Sequence, residues 1–257
     1  MDRKTTTLRE RVLDHLRVLK VPVTDEALNH LLDAAERESL SVLAALDQLL
    51  GEQAARHRDR AIARRITAAH FAEHQTLETF NWAFNKTIPR AQYEQLATGD
   101  FIHRRTNVVL VGQSGVGKSH LMQAVGLSAC ALGYRVCYTT SAQMLTQLTA
   151  ALADKSLRDT LKRYAHWDLL IVDEFGFDRI ERQDSPQAAH LLYKVIANRY
   201  QKGSTILITN VEVDGWTAYL GDAPLAMAML DRLVDGAVII RIKGPSYRAH
   251  RPKAPTA

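Results

Sequence analysis

An α/β fold, a parallel sheet flanked by helices behind a small N-terminal helical domain, is what this sequence predicts. Three observations carry that reading. From Asn107 onward, strand-like apolar runs alternate with segments of helical length and periodicity. The first of those runs, Val108-Val109-Leu110-Val111, opens directly into a glycine-rich loop of phosphate-binding type. The first seventy residues, by contrast, show helical periodicity alone. The expected divisions are therefore 1–70 for the helical domain, 71–106 for a connector docking on the core, and 107–257 for the α/β domain.

The helical region reads in three pieces. Thr7-Leu8-Arg9-Glu10 has capping-box spacing, and Leu8, Val12, Leu16 and Leu19 follow on one face. Val21-Pro22-Val23 breaks that helix, and Thr24-Asp25-Glu26 starts another with Leu28, Leu31, Leu32 and Ala35 as its apolar stripe. A third begins near Ser41 and carries Val42, Leu43, Leu46, Leu49 and Leu50. If it runs past Gly51, an arginine cluster (Arg56, Arg58, Arg60, Arg64, Arg65) extends along it towards Ile66. The connector contains Phe71, Leu77, Phe80, Trp82 and Phe84, too apolar a set for a free linker. These aromatics suit core packing, and one of them could stack on a base.

Strands are expected at 108–111, 134–139, 168–172, 205–209 and 237–242. Helices are expected at 121–132 (amphipathic), 141–153, 156–164, 187–202 and 225–234. Alternation of this kind builds a parallel sheet covered on both faces.

Composition narrows the setting. The 257 residues are 46% hydrophobic and 24% charged, ordinary values for a soluble protein. No apolar stretch approaches the ~20 residues of a membrane span, and no apolar segment follows Met1-Asp2-Arg3-Lys4, so a cytoplasmic protein without a membrane partner is expected. Cys130 and Cys137 read as small core residues in a reducing compartment. The net charge of +5 is modest, but Arg241, Lys243, Arg248, Arg251 and Lys253 fall in the last seventeen residues without one acid. Such clusters suit a phosphate backbone, and a solvated helix face with a basic tail explains them equally well.

The chemistry starts at Gly112-Gln113-Ser114-Gly115-Val116-Gly117-Lys118-Ser119. Glycines let successive N–H groups point into one concavity, and the following helix adds its unpaired donors and positive end. Lys118 supplies a mobile charge for the β- and γ-phosphates, and the Ser119 hydroxyl can ligate Mg²⁺. The expected ligand is a nucleoside triphosphate. Leu169-Leu170-Ile171-Val172-Asp173-Glu174 places two acids at the carboxyl end of a buried strand, where an open parallel sheet meets its ligand. Asp173 is the candidate for the Mg²⁺ hydration shell, and Glu174 for polarising the attacking water. Asn210, ending Thr205-Ile206-Leu207-Ile208-Thr209, can hydrogen-bond that water or the γ-phosphate, or simply cap a turn. Arg232 and Arg248 are candidates for neutralising the transferring phosphoryl group, although spacing alone leaves each a surface arginine.

These stations together resemble the AAA+ ATPases of the initiator and helicase-loader type, and within them the IstB-like transposition helper proteins of bacterial insertion sequences. The resemblance rests on Thr76-Leu77-Glu78-Thr79-Phe80, on the nucleotide loop with its trailing His120-Leu121, and on Arg199-Tyr200, Thr209-Asn210 and Trp216. Leu230-Asp231-Arg232-Leu233 and the closing Ile242-Lys243-Gly244-Pro245-Ser246-Tyr247-Arg248 complete it. It implies that 107–257 is an AAA+ ATPase domain, with ATP contacted from Gly112 to His120 and Mg²⁺ held by Ser119 and Asp173. It further implies that Asn210 is a first sensor, Arg248 a second sensor, and Arg232 a finger reaching a neighbouring subunit. Its expected partners are duplex DNA, further copies of the chain and the transposase of the same element. Ser119 stands where the family commonly has Thr, and Glu174-Phe175 where relatives often carry Asp-Leu; neither change removes a needed group. A replicative helicase loader is the nearest alternative, because it shares the ATPase module. A small-molecule kinase would have no use for Asn210, Arg232 and Arg248, and a non-catalytic DNA scaffold none for Asp173 with Glu174.

Overall fold

The computed structural model describes residues 7–176 and 187–250, which form two compact units meeting between Ala63 and Arg64. Arg251 and Lys253 of the basic tail lie outside the described residues.

In the first unit, α1 (Leu8–Val18) is closed by the expected capping box, in which Thr7 and Glu10 satisfy each other's backbone N–H groups. Helix α2 (Asp25–Arg37) is capped by Thr24, and α3 (Val42–Ala69) by Ser41, whose hydroxyl accepts from the Ala44 N–H. Helix α3 runs through Gly51 without a break, so the arginines from Arg56 to Arg65 do share one helix. The apolar stripes behave differently from expectation. Leu28 is the one fully buried side chain among the described residues of this unit. Leu8, Leu19, Leu32, Val42, Leu43, Leu46 and Leu50 are exposed. Two short helices beside one long one offer too few facing surfaces to cover every leucine on them.

The second unit is a five-stranded parallel sheet of β1 (Val108–Gly112), β2 (Val136–Thr140), β3 (Leu169–Phe175), β4 (Ser204–Thr209) and β5 (Val238–Ile242). The strand order is β2-β3-β4-β1-β5. Alternate residues of each strand feed two separate cores, as the pleat requires. Val108, Leu110, Val136, Leu169, Ile171, Ile206 and Ile208 face one way, under α4 (Arg90–Ala97) and α6 (Lys118–Ala131). Val109, Val111, Cys137, Leu170, Val172 and Leu207 face the other. They lie under α7 (Ser141–Ala153), α8 (Leu157–His166), α9 (Ala188–Arg199) and α11 (Ala223–Val234), with α10 (Trp216–Leu220) adding Trp216.

Two readings need correction. Helix α6 is not amphipathic: Leu121 to Gly126, Ala129 and Cys130 are all buried. The segment after α3 packs Phe71 against its other side, and a Cβ on Gly126 would sit 2.7 Å from that ring. Residues 71–106 also hold more structure than a connector, since α4 and α5 (Asp100–His103) bury Tyr93, Leu96, Phe101 and Ile102. Pro89 before α4 and Gly99 after it are start and stop signals that mark this helix in the sequence. Both cysteines are free and buried, and burial raises each thiol to about 11, as befits core residues.

Arg199, at the end of α9, is 1% exposed and faces no carboxylate within salt-bridge distance among the described residues. Its guanidinium donates instead to the carbonyls of Tyr164 (2.6 Å), Trp167 (2.9 Å) and Ser204 (2.6 Å) and to the Thr205 hydroxyl (3.1 Å). It thereby ties the end of α8 to the starts of β3 and β4. Burial lowers its pKa to about 10. Arg199→Met leaves those buried carbonyls without a donor, each at a cost of about 1 kcal/mol or more. The expected result is a loss of about 3 kcal/mol, read as a melting temperature lower by roughly 6–12 °C.

Candidate nucleotide-binding cleft

Strand β1 ends at Gly112, which is packed so closely on β5 that a Cβ there would sit 2.5 Å from the Ile242 carbonyl oxygen. The chain then turns through Gly115 (φ +82°) and Gly117 (φ +97°), left-handed conformations that a side chain resists. Helix α6 starts at once, with no side chain capping its first turn. Its leading N–H groups remain for a ligand, as in other anion-binding helix starts. Val116 is buried in the core, so only its backbone faces the loop's concavity. The Lys118 ammonium donates to the carbonyls of Gly112 (2.7 Å) and Gln113 (2.8 Å). Burial lowers its pKa; Asp173 opposes the shift and Arg248 adds to it, so both charges act on the same spot.

A cleft of about 790 Å³ opens over this loop, a size suited to a nucleotide. Its lining includes Ser114 to His120, Asp173, Glu174, Asn210 and Arg248. Gly112 and Gln113 serve instead as acceptors for Lys118. Among the sequence candidates, Arg232 lies elsewhere. It sits on α11, where its guanidinium donates to the Ala228 carbonyl (2.7 Å) and lies 5.2 Å over the Tyr193 ring.

The two acids reach the same cleft through a bulge. Register runs Val172 with Leu207 and then Phe175 with Thr209, so β3 advances three residues while β4 advances two. Consecutive residues of a regular strand face opposite sides, yet Asp173 and Glu174 both line the cleft. Glu174 has φ +59°, a conformation that costs a non-glycine residue roughly 1–2 kcal/mol. The distortion is held from both sides. The Ser141 hydroxyl donates to the Glu174 carbonyl (3.1 Å), and the Thr209 hydroxyl donates to the Phe175 carbonyl (2.8 Å). Glu174 is exposed, whereas Asp173 is 3% exposed. Asp173 accepts from the Tyr138 hydroxyl on Oδ2 (2.7 Å) and from the Glu174 N–H on Oδ1 (2.7 Å).

Asn85, Thr87 and Tyr247, which sequence reasoning did not assign, join the expected His120 and Phe80 in closing the cleft from outside the sheet. His120 Nε2 contacts the Thr76 carbonyl (3.0 Å), and Phe80 lies against both the His120 ring and Gly117. Asn85 and Thr87 donate to the Lys243 carbonyl (2.8 and 2.9 Å). The Tyr247 N–H donates to the Gly115 carbonyl (2.9 Å), while Tyr247 meets Phe84 edge-on at 5.0 Å. The C-terminal segment carrying Arg248, in α12 (Tyr247–His250), is thus bonded directly to the phosphate loop.

The donor set fits a magnesium nucleotide. Glycine at 115 and 117 lets Ser246 and Phe80 pack directly on the loop, since an added Cβ would sit 2.1 Å from Ser246 Oγ at the first and 2.7 Å from the Phe80 ring at the second. Lys118 and Arg248 bring positive charge, while Ser119 and Asp173 offer the hard oxygen ligands that Mg²⁺ prefers. Gly115→Ala displaces Ser246 and strains the loop. It is expected to weaken ATP binding about tenfold by calorimetry, near 1.4 kcal/mol. Because Gly115 is half-buried at φ +82°, the same strain is expected to lower the melting temperature as well, by roughly 2–4 °C per kcal/mol.

Residues 14–254 match the family model described as IstB-like ATP binding protein. The chain is similar to the ATP-binding protein named for insertion sequence IS5376 of Geobacillus stearothermophilus, with 31% identity over 94% of each chain. It is also similar to that of insertion sequence IS21 of Pseudomonas aeruginosa, with 32% identity over 90% of this chain and 85% of the relative. In fold it is similar to AMPPCP-bound DnaA from Aquifex aeolicus, with a TM-score of 0.55 at 19% identity, covering 70% of this chain and 53% of that one. With its phosphate loop, its five-stranded parallel sheet and relatives matched over at least nine-tenths of its length, the chain belongs to the IstB-like ATP binding protein family and is a P-loop ATPase.

Proposed function

We propose that this ATPase is a transposition helper that assembles on duplex DNA as a homo-oligomer and recruits or activates the transposase of the same insertion element. ATP hydrolysis then regulates the assembly. Relatives matched along nearly the whole chain are named for insertion sequences, which favours a transposase over a replicative helicase as the partner. The observation that carries the mechanism is a division of labour: the cleft gathers Lys118, Asp173, Glu174, Asn210 and Arg248, while Arg232 stands outside it.

In this reading the loop N–H groups and Lys118 bind the β- and γ-phosphates, and Ser119 and Asp173 hold Mg²⁺. The cation supplies charge neutralisation at the phosphates. Glu174, exposed at the bulge, accepts a hydrogen bond from the attacking water and raises its nucleophilicity. Asn210 orients that water or the γ-phosphate from the end of β4, between the phosphate-loop strand and the acidic strand. Arg248 faces the nucleotide of its own subunit. Arg232 leaves Tyr193 and the Ala228 carbonyl to reach the γ-phosphate held by a neighbour. Such a cross-subunit arginine makes ATP part of the interface, so hydrolysis loosens the assembly.

Glu174→Gln is expected to lower steady-state turnover at least 100-fold while retaining ATP and DNA. Arg232→Ala is expected to lower DNA-stimulated turnover on the order of 10³-fold with nucleotide affinity nearly unchanged. Mixing Arg232→Ala with Lys118→Ala protein tests the shared site, because mixed assemblies pair an intact cleft with an intact finger. Recovery of activity on mixing is the expected outcome; full activity in Arg232→Ala alone would refute the arrangement. Pull-down with tagged protein, ATP and duplex DNA is expected to retain the element's transposase rather than a replicative helicase.

A further inference from the structure

Tyr138 stands in the middle of β2, 8% exposed, where an aromatic residue needs no explanation beyond packing. Its hydroxyl, however, is spent on one partner. Register pairs Tyr138 with Ile171, and the phenol reaches diagonally two residues further along β3 to Asp173 Oδ2 at 2.7 Å. The ring is held in place by Phe71, 6.1 Å between centroids. The neighbouring oxygen, Oδ1, accepts from the Glu174 N–H at 2.7 Å, a bond that depends on the bulge. The Asp173 carboxylate is therefore gripped at both oxygens, one by its own backbone and one by β2. A carboxylate offers about four acceptor positions, so two remain to face the cleft.

We propose that Tyr138 is a positioning residue for the divalent cation, holding Asp173 in one orientation so that its free lone pairs meet the metal's water shell. The inference rests on the nucleotide–metal reading of the cleft and deepens it. A carboxylate fixed by a hydrogen bond loses less rotational freedom on engaging the metal, and outer partners of this kind commonly govern metal affinity by 10–100-fold. Tyr138 lines the cleft beside Asp173, and its proposed effect on the metal passes through that carboxylate.

The test is Tyr138→Phe, which keeps the ring and its contact with Phe71 and deletes the hydrogen bond alone. Affinity for AMPPCP, a non-hydrolysable ATP analogue, is measured by calorimetry across a Mg²⁺ series and with the metal chelated. Occupancy by Mn²⁺ is followed in parallel by electron paramagnetic resonance. The expected result is a roughly tenfold rise in the metal concentration for half-maximal effect, with metal-free affinity and melting temperature nearly unchanged. In an Asp173→Asn background, Tyr138→Phe is expected to produce no further shift. An unchanged metal titration in the folded single variant, beside a metal-dependent parent protein, would overturn the role of Tyr138 alone. A parent protein whose nucleotide affinity ignores Mg²⁺ would overturn the metal reading of the cleft as well.

Discussion

Hydrogen bonding in a parallel sheet fixes the direction of each strand, and here the four pairings β2–β3, β3–β4, β4–β1 and β1–β5 are all parallel. Every strand must then finish on the same edge. Because β3, β4 and β1 are neighbours in that order, the acidic pair, Asn210 and the phosphate loop emerge side by side. With strands about 4.8 Å apart, the acids and the loop stand roughly 10 Å from each other, with Asn210 between them. Residues separated by more than sixty positions in the chain become neighbours through backbone pairing alone. The two apolar cores serve this arrangement by covering both faces and leaving the carboxyl edge open.

That scaffold is regular where it is buried and irregular where chemistry is expected. The one register shift of the β3–β4 pair falls between Val172 and Phe175, beside a glutamate in a left-handed conformation. Strain of this sort persists only where the surroundings over-determine it, and the hydroxyls of Ser141 and Thr209 are the groups that do so. Arg199 works at the opposite ends of the same strands. By satisfying carbonyls of Tyr164, Trp167 and Ser204, it fixes where β3 and β4 begin, and so where they end.

Much of this was legible in the residues because the signals are local. The phosphate loop is a contiguous string, and the five strands are short apolar runs with glycine or polar ends. What escaped was set by distant partners. Nothing in Val136-Cys137-Tyr138 announces that the phenol will meet Asp173, since the link depends on how two strands register. Helix α6 looks two-faced until Phe71 is seen covering its outer side. The left-handed Glu174 gives no warning, as neither glycine nor asparagine marks it, and Gly176 two residues on is the only hint. In the N-terminal unit the leucine spacing does give helices, but periodicity records which residues share a side and not whether anything covers that side. Leu43 and Val42 show the difference, both nearly four-fifths exposed.

The bond from the Tyr247 N–H to the Gly115 carbonyl joins positions at opposite ends of the α/β unit, and the clasp of Asn85 and Thr87 on Lys243 does the same. A chain made from its N-terminus onward exposes the phosphate loop long before it exposes Tyr247. During synthesis the loop is therefore complete before the segment that bonds to it has been translated. The cleft is completed late, once the segment past Ile242 has left the ribosome and can bond to the loop.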